Sequence, residues 1–128
     1  MARQGSSAPG TPPPAGPYTP AVRIGSIVAG SGQVGITGEG VVLDGVGAQT
    51  RQAFTNLLAH LASAGADADD VISVRVFLTD VDHFDAMNEV YREFFTEPFP
   101  ARSTIYVGLP PGFLVEIDAM AVHSNDGL

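Results

Sequence analysis

The chain of 128 residues predicts a single α+β domain, in which a mixed β-sheet carries two helices on one face. Several short segments alternate apolar and polar residues with a period of two, whereas two longer segments repeat apolar residues every three or four positions. These segments follow one another as strands, helix, strand, helix and two strands. Hydrophobic residues make up 45% of the chain, which is enough for a buried core.

The N-terminal segment is predicted to be a flexible or extended arm over residues 1–15. Five prolines fall within residues 1–17, and the run 12–14 can neither donate to a sheet ladder nor continue a helix. We therefore expect the sheet to lack an edge strand here. The folded domain is expected over 16–124, with a short tail at 125–128.

The domain begins with a predicted hairpin of strands at 22–24 and 27–29, which Gly25 and Ser26 connect. Five glycines within residues 30–40 indicate bends, bulges or close approach of the backbone to another group. Residues 41–43 are a candidate for a further short strand.

A first helix is predicted over 47–64, because apolar side chains recur there with helical spacing and Gly65 suits the C-terminal cap. A strand follows at 71–78. The second helix is expected to start with a capping box formed by Asp82 and Asp85 and to end before Pro98. Two strands, 103–107 and 113–122, close the chain around a turn at 109–112.

Strand parity suggests a polar sheet face in this last part of the chain. If the two strands form a hairpin, Arg102, Thr104 and Tyr106 share one face with Glu116 and Asp118. One interpretation is a solvated face with ordinary ion pairs such as Arg102–Glu116. The large apolar side chains on the same face favour a subunit interface or a cleft instead. Arg102 is then a candidate ligand for a substrate carboxylate, since a guanidinium binds carboxylates through two parallel hydrogen bonds.

Composition excludes several classes of site. The absence of cysteine removes disulfides, thiolate catalysis and cysteine-based zinc sites. The net charge of −8 disfavours nucleic-acid binding. His60, His83 and His123 lack metal-ligand spacing, and His60 is expected on the helix surface. The glycine-rich stretch lacks the lysine of a phosphate-binding loop.

No segment has the run of about 20 apolar residues that a membrane helix needs. The first residues do not resemble the apolar core of a signal peptide. We expect a cytoplasmic protein without a membrane partner.

The chain resembles the reactive-intermediate deaminase (Rid, formerly YjgF) family, also known as the endoribonuclease L-PSP family, over roughly residues 15–123. The ordered set of motifs is more specific than any one of them. The motifs are Gly16-Pro17-Tyr18-Thr19, Ser31-Gly32-Gln33, Gln49-Thr50-Arg51-Gln52-Ala53 with Asn56-Leu57, Val76-Phe77-Leu78-Thr79-Asp80, Asn88-Glu89-Val90-Tyr91, Pro100-Ala101-Arg102-Ser103-Thr104, Leu109-Pro110 and Val115-Glu116-Ile117.

The resemblance implies a fold like that of bacterial trimeric chorismate mutase and a homotrimer with clefts between subunits. It implies that Arg102 binds the substrate carboxylate and that Glu116 positions or activates water. The resemblance also gives five substrate-binding positions, with Thr104 contributing a hydroxyl. These positions are Tyr18, Ser31, Gly32, Asn88 and Thr104.

The activity implied by the resemblance is hydrolysis of 2-imino acids, or their enamine tautomers, to 2-oxo acids and ammonia, without a metal or organic cofactor. The chain departs from the family pattern near the cleft, with a short loop at 35–40 and a shortened 107–109 segment. These departures affect the expected identity of the substrate more than the expected fold. Three alternatives stay open: a module that senses 2-oxo acids without turnover, an endoribonuclease, and a hydrolase of another enamine such as an aminoacrylate peracid.

Overall fold

The computed structural model describes residues 2–123 and contains six strands and two α-helices in that part of the chain. In chain order these are β1 (Gln4–Ser6), β2 (Ala21–Ile24), β3 (Ile27–Val34), α1 (Val46–Ser63), β4 (Val71–Leu78), α2 (Phe84–Phe94), β5 (Ala101–Tyr106) and β6 (Val115–Val122). Short 3-10 turns precede β4 and α2.

All six strands form one sheet in the order β1-β2-β3-β6-β4-β5. Every neighbouring pair is antiparallel except β4 and β5, which run parallel because α2 crosses over between them. The α+β architecture, with a mixed sheet and two helices on one face, confirms the fold predicted from the sequence.

The core lies between the sheet and the two helices. Phe54 of α1 has no exposed surface and contacts the rings of Tyr91, Phe94 and Phe95, so the helices pack against each other through aromatic side chains. Each fully buried side chain of this size stabilises the fold by about 2 kcal/mol. The fully buried apolar residues shared by helices and sheet include Val28, Leu57, Leu61, Val74, Val76, Leu78, Met87, Val115 and Ile117.

Local patterns locate most elements correctly. The hairpin turns at Gly25 and Ser26 as predicted, and β4 spans the predicted residues. The first helix begins and ends one residue earlier than expected. Residues 41–43 do not form a strand of the sheet, because Val42 makes only an isolated bridge to Ile36. The capping box at Asp82 is also wrong, since Asp80 caps the preceding 3-10 turn by accepting from the Asp82 N–H.

The prediction that the sheet lacks an edge strand at the N-terminus is wrong. Gln4–Ser6 pairs with β2 as β1, because the prolines begin only at residue 9 and these residues keep their backbone donors. The following turn is anchored by the Ala8 N–H, which donates to His60 Nδ1 at 3.1 Å. His60 is fully buried, so its expected surface position is wrong too. The predicted tail at 125–128, like residue 124, lies outside the described residues.

The predicted hairpin of the last two strands is wrong, and with it the shared face. β4 lies between β5 and β6. Arg102 is in register with Val74, and Val74 with Ala119. Val74 is fully buried in the core below the helices, so Arg102 projects from the helix-bearing face of the sheet. Glu116 is in register with Phe77 and projects from the opposite face. Sequential strands are often not neighbours, and period-two parity alone cannot detect an intervening strand.

The helix-free face of the sheet is open and partly apolar. Ile27 is 52% exposed and Met120 is 44% exposed, and the bidentate ion pair between Arg75 and Asp118 lies among such residues. In the part of the chain that the structure describes, no helix is long and apolar enough to cross a bilayer.

Candidate functional site

A pocket of about 250 Å³, here called the Arg102 pocket, lies where α2 meets the edge strand β5. It combines guanidinium, amide and aromatic groups. Its lining residues are Asn88, Tyr91, Arg92, Phe99, Pro100 and Arg102. Two of the predicted site residues, Asn88 and Arg102, therefore lie together.

The Arg102 guanidinium is fixed by nonpolar contacts instead of by an acid. Its central carbon lies 4.7 Å from the centre of the Tyr91 ring and 5.7 Å from that of Phe84. One of its nitrogens lies 3.9 Å from the Met87 sulfur. Among residues 2–123, no carboxylate forms an ion pair with Arg102. The site thus presents a positioned cation that is ready to accept an anion.

All six basic residues of the chain are arginines, and three of them have oxygen partners within the protein. Arg51 is paired with Glu93 and Arg75 with Asp118. Arg23 donates to the carbonyl oxygens of Gly25 and Ala64. The Arg102 pocket differs because it holds two arginines and is lined by no carboxylate.

Tyr91 lines the same pocket and carries a buried hydroxyl without a hydrogen-bond partner among residues 2–123. The residue is 4% exposed, and burial raises the pKa of its hydroxyl, with the nearby Arg102 opposing that shift. No group of the described chain forms a hydrogen bond with this buried hydroxyl. An unpaired buried hydroxyl costs about 1–3 kcal/mol.

A second pocket of about 330 Å³, here called the Glu116 pocket, lies between the N-terminal segment and β3. Most of its lining is apolar, and the proline run forms one wall. The lining residues are Pro12, Pro13, Pro14, Ala15, Tyr18, Pro20, Gly32, Gln33, Val34, Ile36, Pro110, Phe113 and Glu116. Tyr18, Gly32 and Glu116 of the predicted site lie here together.

Glu116 is suited to proton transfer. Burial raises the pKa of its carboxyl above the ordinary value, and the negative charge of Asp118 raises it further. A carboxyl with a raised pKa retains its proton to higher pH. It can therefore both accept and donate a proton near neutrality more effectively than an ordinary carboxyl.

Gly32 determines where the Glu116 side chain can lie. A Cβ atom at position 32 would overlap the Glu116 carboxylate, and it would also lie 3.0 Å from the carboxyl carbon. Gly32 follows Gly30 at a register shift of β3 against β6, where the backbone can approach the neighbouring strand. The glycine is therefore needed for space. Ser31 beside it donates its hydroxyl to the Thr19 carbonyl at 2.6 Å.

Three side chains hold the segments around the Glu116 pocket. Tyr18 accepts a hydrogen bond from the Ala15 N–H at 3.0 Å, which ties the proline run to the pocket. Gln49 donates to the Gly112 carbonyl and accepts from the Leu114 N–H, which fixes the approach to β6. Asn56 donates to the Ile36 carbonyl at 2.8 Å. The polar groups of these loops are thus satisfied from within the fold.

The two pockets open on different faces of the sheet, so one protomer does not bring Arg102 and Glu116 onto one ligand. Thr104 lies on the same face as Arg102, two residues further along β5, but it lines neither pocket. Among residues 2–123, no three histidine, aspartate or glutamate side chains form a group that could hold a metal ion.

The sequence reasoning missed several lining residues. Arg92 was detectable, because Asn88, Tyr91 and Arg92 are spaced by three and four residues on the predicted second helix and share one face. Phe113 and the proline run were not detectable. Their position depends on how the N-terminal segment folds back over β3, which has no local signature.

Comparisons with known proteins bear on the family and the fold of the chain. The model of the endoribonuclease L-PSP family matches residues 9–123. A 2-iminobutanoate/2-iminopropanoate deaminase from Dermatophagoides farinae is 42% identical, with 91% of this chain and 93% of the relative covered. The crystal structure of RidA from the Antarctic bacterium Psychrobacter sp. has a TM-score of 0.88 and 36% identity, covering 93% of this chain and 98% of that one. E. coli TdcF with bound serine has a TM-score of 0.89 and 36% identity, covering 94% and 99%.

Proposed function

The chain belongs to the endoribonuclease L-PSP family, the family of the Rid proteins, and on that premise we propose that it hydrolyses 2-imino acids or their enamine tautomers to 2-oxo acids and ammonia. Arg102 holds the substrate carboxylate in this reaction. The observation that carries the proposal is the Arg102 guanidinium, which is packed on Tyr91 and has no acidic partner among residues 2–123. The relative from Dermatophagoides farinae bears the name of an enzyme with this activity.

The chemistry places modest demands on the protein. A water oxygen adds to the imine carbon and the imine nitrogen takes up a proton, which gives a tetrahedral carbinolamine. Collapse of this adduct breaks the C–N bond, releases ammonia and leaves the 2-oxo acid. Glu116 takes one proton from the attacking water and passes it to the imine nitrogen. In the collapse it takes the hydroxyl proton of the carbinolamine and passes it to the leaving amine, and its raised pKa favours both transfers. No metal or organic cofactor takes part.

The complete site requires a second copy of the chain. Arg102 and Glu116 project from opposite faces of the sheet, and the helix-free face exposes apolar side chains such as Ile27 and Met120. A closed ring of identical subunits buries such a face and can place the Glu116 pocket of one subunit against the Arg102 pocket of its neighbour. We propose a homotrimer with three clefts in which Tyr18, Ser31, Gly32 and Glu116 face Asn88, Arg102 and Thr104 of the adjacent subunit.

The experiment generates 2-iminopropanoate with an amino-acid oxidase and follows imine loss with and without the protein. We expect the wild-type protein to accelerate imine loss and Arg102→Ala to lower kcat/KM by about 100-fold, since a charge-assisted bidentate contact is lost. Arg51→Ala is the matched control, because Arg51 forms an exposed ion pair outside both pockets. Equal activity of the Arg102→Ala and Arg51→Ala proteins would overturn the proposal.

Binding without turnover is the second candidate function. The Arg102 pocket alone can hold a carboxylate, whereas hydrolysis also needs Glu116. Calorimetry with pyruvate distinguishes the two functions, because a sensor binds pyruvate in an Arg102-dependent way and leaves the imine untouched. Ribonuclease activity is disfavoured, since a chain with a net charge of −8 repels RNA. The cytoplasmic location stays a prediction from the sequence.

A further inference from the structure

We propose that the Arg102 pocket accepts 2-imino acids that carry a second carboxylate in the side chain, and that Arg92 binds this second carboxylate. Arg92 is then the residue that determines specificity for dicarboxylic over monocarboxylic substrates. The inference rests on the proposed function and assigns a substrate class to the same site.

The first argument is charge. Two of the six arginines line one pocket of about 250 Å³, although the chain as a whole carries a net charge of −8. Within the described part of the chain, neither Arg92 nor Arg102 forms an ion pair with a carboxylate. Two guanidinium groups repel each other in so small a space. One carboxylate neutralises one of them, and a dicarboxylate neutralises both.

The second argument is the arrangement of donors. Asn88 and Arg92 are four residues apart and lie on the same face of α2, while Arg102 reaches the pocket from β5. The two cations therefore come from two different elements that line the same pocket. An extended ligand with a carboxylate at each end matches this arrangement better than a single carboxylate does.

The third argument is the pocket wall. Tyr91 and Phe99 provide aromatic surface, and the Tyr91 hydroxyl is buried without a hydrogen-bond partner in the described chain. The Asn88 amide lies nearby with both donor and acceptor atoms. Low polarity in the walls strengthens attraction between the guanidiniums and an anion. The Asn88 amide therefore gives the pocket polar capacity beyond the one carboxylate held by Arg102.

The test compares substrates of equal carbon number. An oxidase acting on aspartate supplies 2-iminosuccinate, and one acting on 2-aminobutanoate supplies 2-iminobutanoate. We expect the wild-type protein to have the larger kcat/KM for 2-iminosuccinate. Arg92→Gln is expected to lower the ratio of kcat/KM for 2-iminosuccinate to kcat/KM for 2-iminobutanoate by about tenfold. This is the effect of losing one partly exposed charge-assisted contact. Arg92→Lys should restore part of the ratio, because it retains the charge.

Arg51→Gln is the control, since Arg51 is an arginine of the neighbouring helix that lines neither pocket. It should leave both rates and their ratio unchanged. The proposal is overturned if Arg92→Gln lowers both kcat/KM values equally, which would mean that both arginines hold the same carboxylate. It is also overturned if Arg92→Gln changes neither value.

A binding measurement separates this inference from the proposed function. Calorimetry compares 2-oxoglutarate with 2-oxopentanoate, which has the same chain length and lacks the second carboxylate. We expect tighter binding of 2-oxoglutarate in the wild-type protein and loss of that preference in Arg92→Gln. If the preference is found but no imine is hydrolysed, the proposed function fails and the dicarboxylate site stands. If imines are hydrolysed without any such preference, the dicarboxylate site fails alone.

Discussion

The Arg102 pocket and the Glu116 pocket are built on contrasting principles. In the Arg102 pocket, regular elements hold the functional groups, since Arg92 lies on α2 and Arg102 on β5, where it packs on the Tyr91 ring. In the Glu116 pocket, the walls come mainly from the N-terminal segment and from loops, and side-chain hydrogen bonds to backbone atoms fix those walls. The first pocket concentrates positive charge, whereas the second surrounds one carboxyl with apolar groups.

This difference indicates a division of labour. A cation on a rigid support suits recognition, because the binding free energy is not spent on ordering the protein. A carboxyl in apolar surroundings suits proton transfer, because its pKa moves towards neutrality. Because the two pockets lie on opposite faces of the sheet, the proposed reaction needs two subunits to meet before both pockets act on one molecule.

The largest expected effect tests whether the two pockets meet across a subunit boundary. Arg102→Ala and Glu116→Gln should each be nearly inactive alone. When the two variants are unfolded and refolded together, about a quarter of the clefts in the unselected mixture should combine an intact Arg102 with an intact Glu116. In trimers that contain both variants, the fraction rises to about one cleft in three. The measurement is imine hydrolysis by assemblies purified through two different tags.

The control mixes Arg102→Ala with the double variant Arg102→Ala/Glu116→Gln, which can form no intact cleft. The proposal fails if the mixture of Arg102→Ala and Glu116→Gln is no more active than this control. The two residues then do not act across an interface.

A smaller effect is expected from the backbone beside Glu116. Gly32→Ala forces the Glu116 carboxylate away from its position, so kcat should fall by about tenfold, the lower end of the contribution of a positioned acid–base group. Binding of pyruvate at the Arg102 pocket, measured by calorimetry, should change little. Gly47→Ala is the matched control, because a Cβ there meets no atom within 4 Å. Equal kcat values for the two variants would contradict the role given to Gly32.

The two pockets also differ in how far the sequence predicts them. Asn88 and Arg102 lie on a helix and a strand with clear periodicity, so their elements could be placed from local pattern. The sheet face of Arg102 relative to Glu116 could not be predicted in this way, because the insertion of β4 between β5 and β6 depends on long-range strand pairing. The family resemblance indicated Glu116 and Gly32 as site residues. It did not predict the close approach of the Gly32 backbone to the Glu116 carboxylate, which depends on a register shift in β3.

The N-terminal segment gives a third prediction, on stability. Ala8→Pro removes the N–H that donates to the buried His60 Nδ1, and the unpaired acceptor should lower the free energy of unfolding by about 1–3 kcal/mol. Urea denaturation measures this change. Ala2→Pro serves as the control, since Ala2 lies before β1 and is exposed. Unfolding midpoints that coincide for the two variants would show that the Ala8–His60 contact does not anchor the segment.

The smallest effects concern pH. The pKa of Glu116 is raised by burial and then by Asp118. Removing the charge in Asp118→Asn should lower that pKa, so the acid limb of the kcat/KM profile moves to lower pH. Arg75→Gln should move the limb to higher pH, because Asp118 loses the cation that compensates its charge. The profiles are measured with 2-iminopropanoate, and shifts of the same sign in both variants would contradict this electrostatic account.

Arginine is the only type of basic residue in the chain, and this affects its resistance to covalent modification. Imines and 2-oxo acids condense with primary amines to form Schiff bases, and lysine side chains are the usual targets in proteins. This chain contains six arginines and no lysine. Guanidinium groups stay protonated at any physiological pH and are poor nucleophiles. If Arg102 and Arg92 bind such electrophiles as proposed, the protein can therefore do so repeatedly without forming covalent adducts through these side chains.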